Sequence, residues 1–246
     1  MRPWSQPLLW PHPSGAVACD PYFGNVVLLM GYEGPNGSTT TGVQDESPSA
    51  HGFGNPVGAV IDTSQFKFGT SSVRLNNAAI IFGNSADWHF GSGQYTVECW
   101  FRPNSNPGQG FFVGQWLTVG NSAWVMNTGV SGSTLTWNMS PDGGTTNIVA
   151  FNGSWAFATG TWYHIAVDFD GTNTRGYVNG VMVGKYTTPV TIFTSSNNLG
   201  IGANSGATSF IVDGWMDELR ITKGVARYAS DAGFAVPTAA FPRVQC

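Results

Sequence analysis

Charge is scarce in this sequence: 10 basic and 14 acidic residues make up 10% of its 246 positions, where an ordinary soluble domain carries roughly 25%. A coiled coil or a small helical domain with a charged surface is therefore excluded. The net charge of −4 comes without a basic cluster, which argues against nucleic acid as the main partner. Cysteine is also rare, with three residues, Cys19, Cys99 and Cys246, and no CxxC pair, so neither a disulfide framework nor a thiolate metal site is expected. Cys99, in an apolar run, reads as a small buried hydrophobe. Cys19 and Cys246 lie near the two ends and could bridge them or remain thiols. No run approaches the ~20 apolar residues that span a membrane. The first residues do not read as a signal peptide either, because Pro3, Pro7, Pro11 and Pro13 interrupt the apolar stretch.

What is abundant is glycine (33) and aromatic side chains, with 10 Trp, 7 Tyr and 16 Phe. Hydrophobic residues make up 41% of the chain, enough for a core and unlike a disordered chain. Gly, Thr, Asn and aromatics in excess point to strands joined by turns. Apolar runs end in turn chemistry at 26–30, 72–76, 78–82, 95–103, 111–116, 123–127 and 134–140, then at 148–151, 162–169, 174–178, 181–186, 199–202 and 215–222. That spacing predicts an all-β antiparallel sandwich or barrel of about a dozen short strands. Asn179-Gly180 marks a type I′ hairpin. Residues 31–70 read as a long Gly/Ser/Thr-rich loop, a candidate ligand or metal region. Residues 1–23 form a separate Pro/Trp-rich arm whose Trp4, Leu8, Leu9 and Trp10 would be costly to leave in water. The arm is expected to fold over its own domain or dock on a neighbouring subunit.

Several spacings resemble one family. Residues 28–34 and 66–75 look like the opening of a laminin-G-like (concanavalin A-like lectin/glucanase) jelly roll. Tyr95-Thr96-Val97-Glu98-Cys99-Trp100-Phe101-Arg102-Pro103 resembles the family's T-x-E-x-W-x-R-P strand. Thr161-Trp162-Tyr163-His164-Ile165-Ala166 is similar to its W-x-H strand, and Tyr177-Val178-Asn179-Gly180 to its N-G hairpin. Gly214-Trp215-Met216-Asp217-Glu218-Leu219-Arg220 resembles its G-x-x-D-E-x-R strand. The resemblance covers 24–228 and implies a two-sheet antiparallel jelly-roll sandwich, flanked by the N-terminal arm (1–23) and a C-terminal extension (229–246). Residues 222–228, with Phe234, Pro237 and 240–242, resemble the version found in bacteriophage virion proteins. This implies capsid-decorating or tail-attached subunits whose partners are other virion proteins and sister subunits, in the virion.

Candidate chemistry follows. Glucanases on this fold place two carboxylates about 5–5.5 Å apart on one strand face, and their Glu-x-Asp-x-x-Glu run is absent here. Asp217 and Glu218 are adjacent and should point to opposite faces. His164, beside Trp162 in an apolar strand, reads as a core histidine, so the expectation is a non-enzymatic protein. The resemblance implies a structural Ca²⁺ held by Glu33, Asp45 and Asp217, since calcium takes six to eight oxygens from carboxylates and carbonyls. The alternative has Asp217 and Glu218 hydrogen-bonding loops internally. Sugar binding needs an exposed aromatic face beside amide or carboxylate groups. Candidates are Trp88, Trp116, Trp124, Trp137 with Asn138, and Trp155 with Asn152, each equally suited to core or subunit interface. Low charge and the aromatic arm suit a covered surface, and the glycan partners expected are cell-surface ones. The alternatives are a stand-alone carbohydrate-binding module and, further off, a glycan hydrolase.

Overall fold

A computed structural model describes residues 18–106, 108–117 and 120–246. The arm residues Trp4, Leu8, Leu9 and Trp10 lie outside them. Fifteen strands carry the described chain: β1 (Val26–Met30), β2 (Asn55–Val57), β3 (Val60–Asp62), β4 (Ser72–Leu75), β5 (Ala79–Phe82), β6 (Tyr95–Pro103), β7 (Phe111–Gly114) and β8 (Trp124–Thr128), followed by β9 (Thr134–Met139), β10 (Ile148–Ser154), β11 (Tyr163–Phe169), β12 (Thr174–Val178), β13 (Val181–Tyr186), β14 (Leu199–Ile201) and β15 (Gly214–Lys223). They pair antiparallel into two sheets. One has eight strands in the order β13-β12-β11-β6-β15-β4-β3, with β1 also on β15; the other has seven in the order β10-β9-β8-β7-β14-β5-β2. This is the expected jelly-roll sandwich. Asn179 (φ 49°) and Gly180 (φ 75°) both take positive φ, as a type I′ turn requires.

Residues 31–70, expected as loop, contain β2 and β3. Both are three-residue edge strands, and Pro56 and Gly58 beside them break the alternation that would reveal them. The two inner faces supply one core. Val97, Cys99 and Phe101 of β6 and Ile165 and Val167 of β11 meet Trp124 and Met126 of β8 and Leu135, Trp137 and Met139 of β9. Cys99 is buried and free. At the centre is an aromatic stack: Phe90 on Trp124 (4.8 Å), Trp124 on Trp137 (5.3 Å) and Trp137 on Tyr95 (5.4 Å).

On the outer face of the eight-stranded sheet, side chains alternate away from that core and carry much of the protein's charge. Cys19 and Cys246 are disulfide-bonded, so the ends are joined. Asp20 makes a parallel bridge with Gln245 and takes Arg220 (3.1 Å) and Arg227 (2.8 Å) on its carboxylate. Arg220 places Nε and Nη2 on Glu98 Oε1 at 2.9 and 2.8 Å. The other Glu98 oxygen meets His164 Nε2 at 3.1 Å and the Tyr228 hydroxyl. His164 is thus a buried core histidine with a carboxylate partner. Residues 229–246 lie across this face, with Phe241 stacked on the Arg220 guanidinium at 3.8 Å. Among the described residues, no helix is long and apolar enough to cross a membrane.

Candidate functional site

The seven-stranded sheet has a different outer face. With Trp124 and Met126 inward on β8, Val125 and Asn127 point out; with Leu135, Trp137 and Met139 inward on β9, Thr136 and Asn138 point out. Register aligns Phe111 with Asn127, Asn127 with Thr136, and Thr136 with Asn152. A second row runs Gly114, Val125, Asn138, Val149. The strip therefore holds amides, one hydroxyl and apolar atoms, and no charge.

The chain after β14 folds back over one end of it. Gly200 permits this, because a Cβ there would stand 2.6 Å from the Asn204 carbonyl oxygen. The Phe111 amide donates to the Phe210 carbonyl (2.8 Å), and Ser205 Oγ donates to that of Gly114 (3.3 Å). Phe210 then lies flat on Phe111, with ring centroids 4.4 Å apart and planes at 10°. It is 41% exposed and has φ 58°, a region that bulky residues avoid and that costs roughly 1–3 kcal/mol. Asn127 donates Nδ2 to the Thr128 carbonyl at 2.8 Å, while its Oδ1 and the Oδ1 of Asn138 have no partner. Thr136 donates to Asn152 Oδ1 at 2.9 Å. The exposed Phe210 plane thus lies at one end of a row in which Asn127, Thr136 and Asn138 are buried and Asn152 is exposed. An open cleft of ≈ 630 Å³, lined by Pro141, Ile148, Val190, Ile192 and Phe193, lies by the start of β10.

Most of the tryptophans expected as sugar platforms are elsewhere. Trp88, Trp124, Trp137 and Trp155 are buried in the core, and a ring with no free face cannot stack on a sugar. Strand parity points Trp124 and Trp137 inward, while Trp88 ends a short 3-10 helix (Ala86–Trp88) and Trp155 follows β10 into the core. Trp116 is half-buried, with its carbonyl accepting from the Ser205 amide. Asn138 does lie on the strip, and so does Asn152. Phe210, Asn127 and Thr136 were missed; an Asn-x-Thr-type alternation opposite inward Trp could have flagged the last two, whereas nothing local marks Phe210.

The calcium donors implied by the resemblance do not fit one ion. Glu33 accepts from the Thr70 amide (3.0 Å) and hydroxyl (2.6 Å). Asp45 accepts from the amides of Leu29 (3.0 Å), Ser47 (2.9 Å) and His51 (2.9 Å). Asp217 Oδ2 accepts from the amides of Lys67 (2.8 Å) and Phe68 (3.1 Å). Amide and hydroxyl donors already engage each of these carboxylates, although Asp217 Oδ1 is buried without a partner, and among the described residues no group of three His, Cys, Asp or Glu side chains is placed to hold a metal. Asp217 and Glu218 diverge at a β-bulge where Glu218 has φ 49°. Asp217 grips the 67–68 loop, and Glu218 takes the Phe241 amide (2.8 Å) and Arg243 (2.9 Å).

Among the perturbed carboxyls, Glu98, Asp168 and Asp217 are buried. Burial alone would raise Glu98, but Arg220, His164 and Arg227 outweigh it and hold it well below the usual range. Burial pushes Asp168 up to about 6 against the Ala229 amide, Arg175 and the Tyr228 amide, and pushes Asp217 up to about 7 against the Phe68 and Lys67 amides.

Residues 69–229 match the family described as the concanavalin A-like lectin/glucanases superfamily. The chain belongs to that superfamily. No curated protein matches it in sequence. Within the superfamily's architecture, it is similar to domain 4 of AbnA, a GH43 extracellular arabinanase of Geobacillus stearothermophilus solved with arabinotriose. That match has a TM-score of 0.59 and 18% identity and covers 82% of this chain and 94% of that one. The binding domain of Paraclostridial mosquitocidal protein 1 matches at TM-score 0.57 and 16% identity, over 83% of this chain and 50% of that one. Botulinum neurotoxin type C, whose cell entry depends on two ganglioside molecules, matches at 0.57 and 13%, over 83% and 49%. The chain spans about half the length of these two toxin chains. At such identities the likeness is one of fold.

Proposed function

We propose that the protein is a non-enzymatic glycan-binding jelly roll, carried on a bacteriophage virion by its N-terminal arm, with the outer face of the seven-stranded sheet as its binding surface. The observation that carries the glycan reading is the exposed Phe210 plane on the same sheet face as the exposed Asn152 amide. A pyranose or furanose ring presents a C–H face and a hydroxyl edge, and this strip offers a partner to each. The arabinotriose and ganglioside named with the similar structures support the same ligand class. Glu98, Asp168 and Asp217 are fully buried and already bonded, which supports binding without hydrolysis.

Attachment to a virion rests on the phage-like 222–228 segment and on where the arm joins. Ala18 and Cys19 line a cleft with Arg220 and Arg227, on the face opposite the amide strip, so docking through the arm turns the strip outward. Many weak copies then give avidity. A glycan array probed with the full chain tests the binding: Phe210→Ala and Asn152→Ala should each weaken the strongest signal about tenfold, and an array on which the wild type binds nothing overturns the reading. Deleting residues 2–17 should abolish incorporation into particles; incorporation at the wild-type level leaves the stand-alone carbohydrate-binding module.

A further inference from the structure

The terminal segments do not cover all of the eight-stranded sheet's outer face. Thr96, Glu98 and Trp100 of β6 are buried beneath their neighbours, but Arg102, further along the same side of the strand, is half-buried. Cross-strand register sets Arg102 opposite Trp215, and Trp215 opposite Arg74. Their guanidinium carbons stand 4.9 and 4.5 Å from the Trp215 ring. Trp162, one residue before the Tyr163–Phe101 pair, alternates to the same side as Arg102 and is also half-buried. The result is a row of alternating aromatic and cationic side chains across the bare end of the sheet.

Two of the cations here have no carboxylate. Arg74 is satisfied by Asp213 at 2.6 Å, and the Trp215 indole N–H donates to Asp62 at 2.8 Å. Arg102 makes no hydrogen bond or ion pair among the described residues; its contact is the Trp215 ring. Lys67, one pleat along, sits over Trp100 at 4.1 Å, again without an acid. In a chain with 10 basic residues and a net charge of −4, two half-buried cations left without acids beside half-buried indoles mark a surface that takes an anion with an apolar face.

We propose that this row is a second saccharide site, selective for sugars bearing a carboxylate, such as uronic acids: the sugar ring stacks on Trp162, because Arg74 and Arg102 flank the Trp215 ring, and the planar carboxylate meets the Arg102 fork. The planar guanidinium fits a carboxylate bidentately, and desolvation beside the indole strengthens the pair. The site is separate from the amide strip of the seven-stranded sheet and is independent of its ligand.

The test is calorimetric titration of the full chain with trigalacturonate and with its methyl ester, at low and high salt. Trigalacturonate should bind at least tenfold more tightly than the ester, and more weakly as salt rises. Arg102→Gln should remove that advantage while leaving the melting temperature unchanged, because the side chain holds nothing else in place. Trp162→Ala should weaken both ligands and Asn152→Ala neither. Equal affinity for acid and ester, wild-type affinity in Arg102→Gln, or no binding of trigalacturonate at millimolar concentration overturns the proposal. Loss of acid binding in Phe210→Ala but not in Arg102→Gln would place the acidic ligand on the amide strip and also overturn it. Failure of the amide strip itself would appear separately, as a wild type that binds no neutral glycan.

Discussion

The outer faces of the two sheets share a backbone geometry and differ in almost everything else. That of the eight-stranded sheet carries Asp20, Glu98, Arg220 and Arg227 in one buried network under the chain's own ends, which a disulfide joins. That of the seven-stranded sheet carries Asn127, Thr136 and Asn138 with no charge and two unpartnered acceptors. The contrast explains the scarcity of charge. Buried charges are stable only when paired and hydrogen-bonded, and this protein concentrates them where they fasten its termini. The other face carries neutral amides and a hydroxyl, most of them buried, and no charge.

The first way to break the comparison is to remove the network's centre. Glu98→Ala leaves the Arg220 guanidinium and His164 without their shared acceptor, and about 3–5 kcal/mol of stability should be lost, read by urea denaturation. A loss below ~1 kcal/mol would mean that the charged face fastens nothing. Reduction of Cys19–Cys246, or Cys19→Ser, should come next, at roughly 2–5 kcal/mol for so long a loop, measured as the shift in denaturation midpoint with and without reductant.

The pH dependence separates the buried carboxyls. Asp217 titrates at about 7 in the fold and near 3.9 unfolded, so between those values the native state binds more protons and stability falls as pH rises. Glu98 behaves oppositely: its folded pKa is depressed, so its contribution is present above the unfolded pKa and is lost as pH falls below it. Asp217→Asn keeps an acceptor for the Lys67 and Phe68 amides and should flatten the decline between pH 4 and 7, gaining on the order of 2 kcal/mol at pH 8; an unchanged slope refutes the assignment. The smallest stability effect belongs to the neutral face. Phe210→Ala should change stability by less than ~1 kcal/mol, since the ring's burial is partial and its strained backbone relaxes, while glycan binding falls about tenfold.

Much of the fold was legible because its signals are local. Alternation over 95–103 and the Asn179-Gly180 turn report strands and a hairpin without reference to anything distant. β2 and β3 were not legible, because a three-residue edge strand next to Pro or Gly has no period to read. The site was half legible. Asn138 and Asn152 stand beside Trp137 and Trp155, and the core reading of those two tryptophans, rather than the platform one, is what the packing shows. Phe210 could not be found, since its exposure depends on a loop returning from β14 to stack on a strand some hundred residues earlier. The calcium candidates illustrate the same gap: Glu33, Asp45 and Asp217 are acidic residues in loop-rich surroundings, yet the fold sets them apart, each accepting from the backbone of a different loop.

By itself, the sequence determined the jelly roll and its superfamily, because strand alternation, turn residues and motif order are carried by neighbours along the chain. The tertiary structure decided what each polar residue does. It joined Cys19 to Cys246, turned Glu98 and His164 into interior fastenings, and left Phe210 and Asn152 exposed on one sheet and Arg102 beside Trp162 half-exposed on the other. Those outcomes depend on which face a strand presents and on what returns across it, and both are set by contacts between residues far apart in the chain.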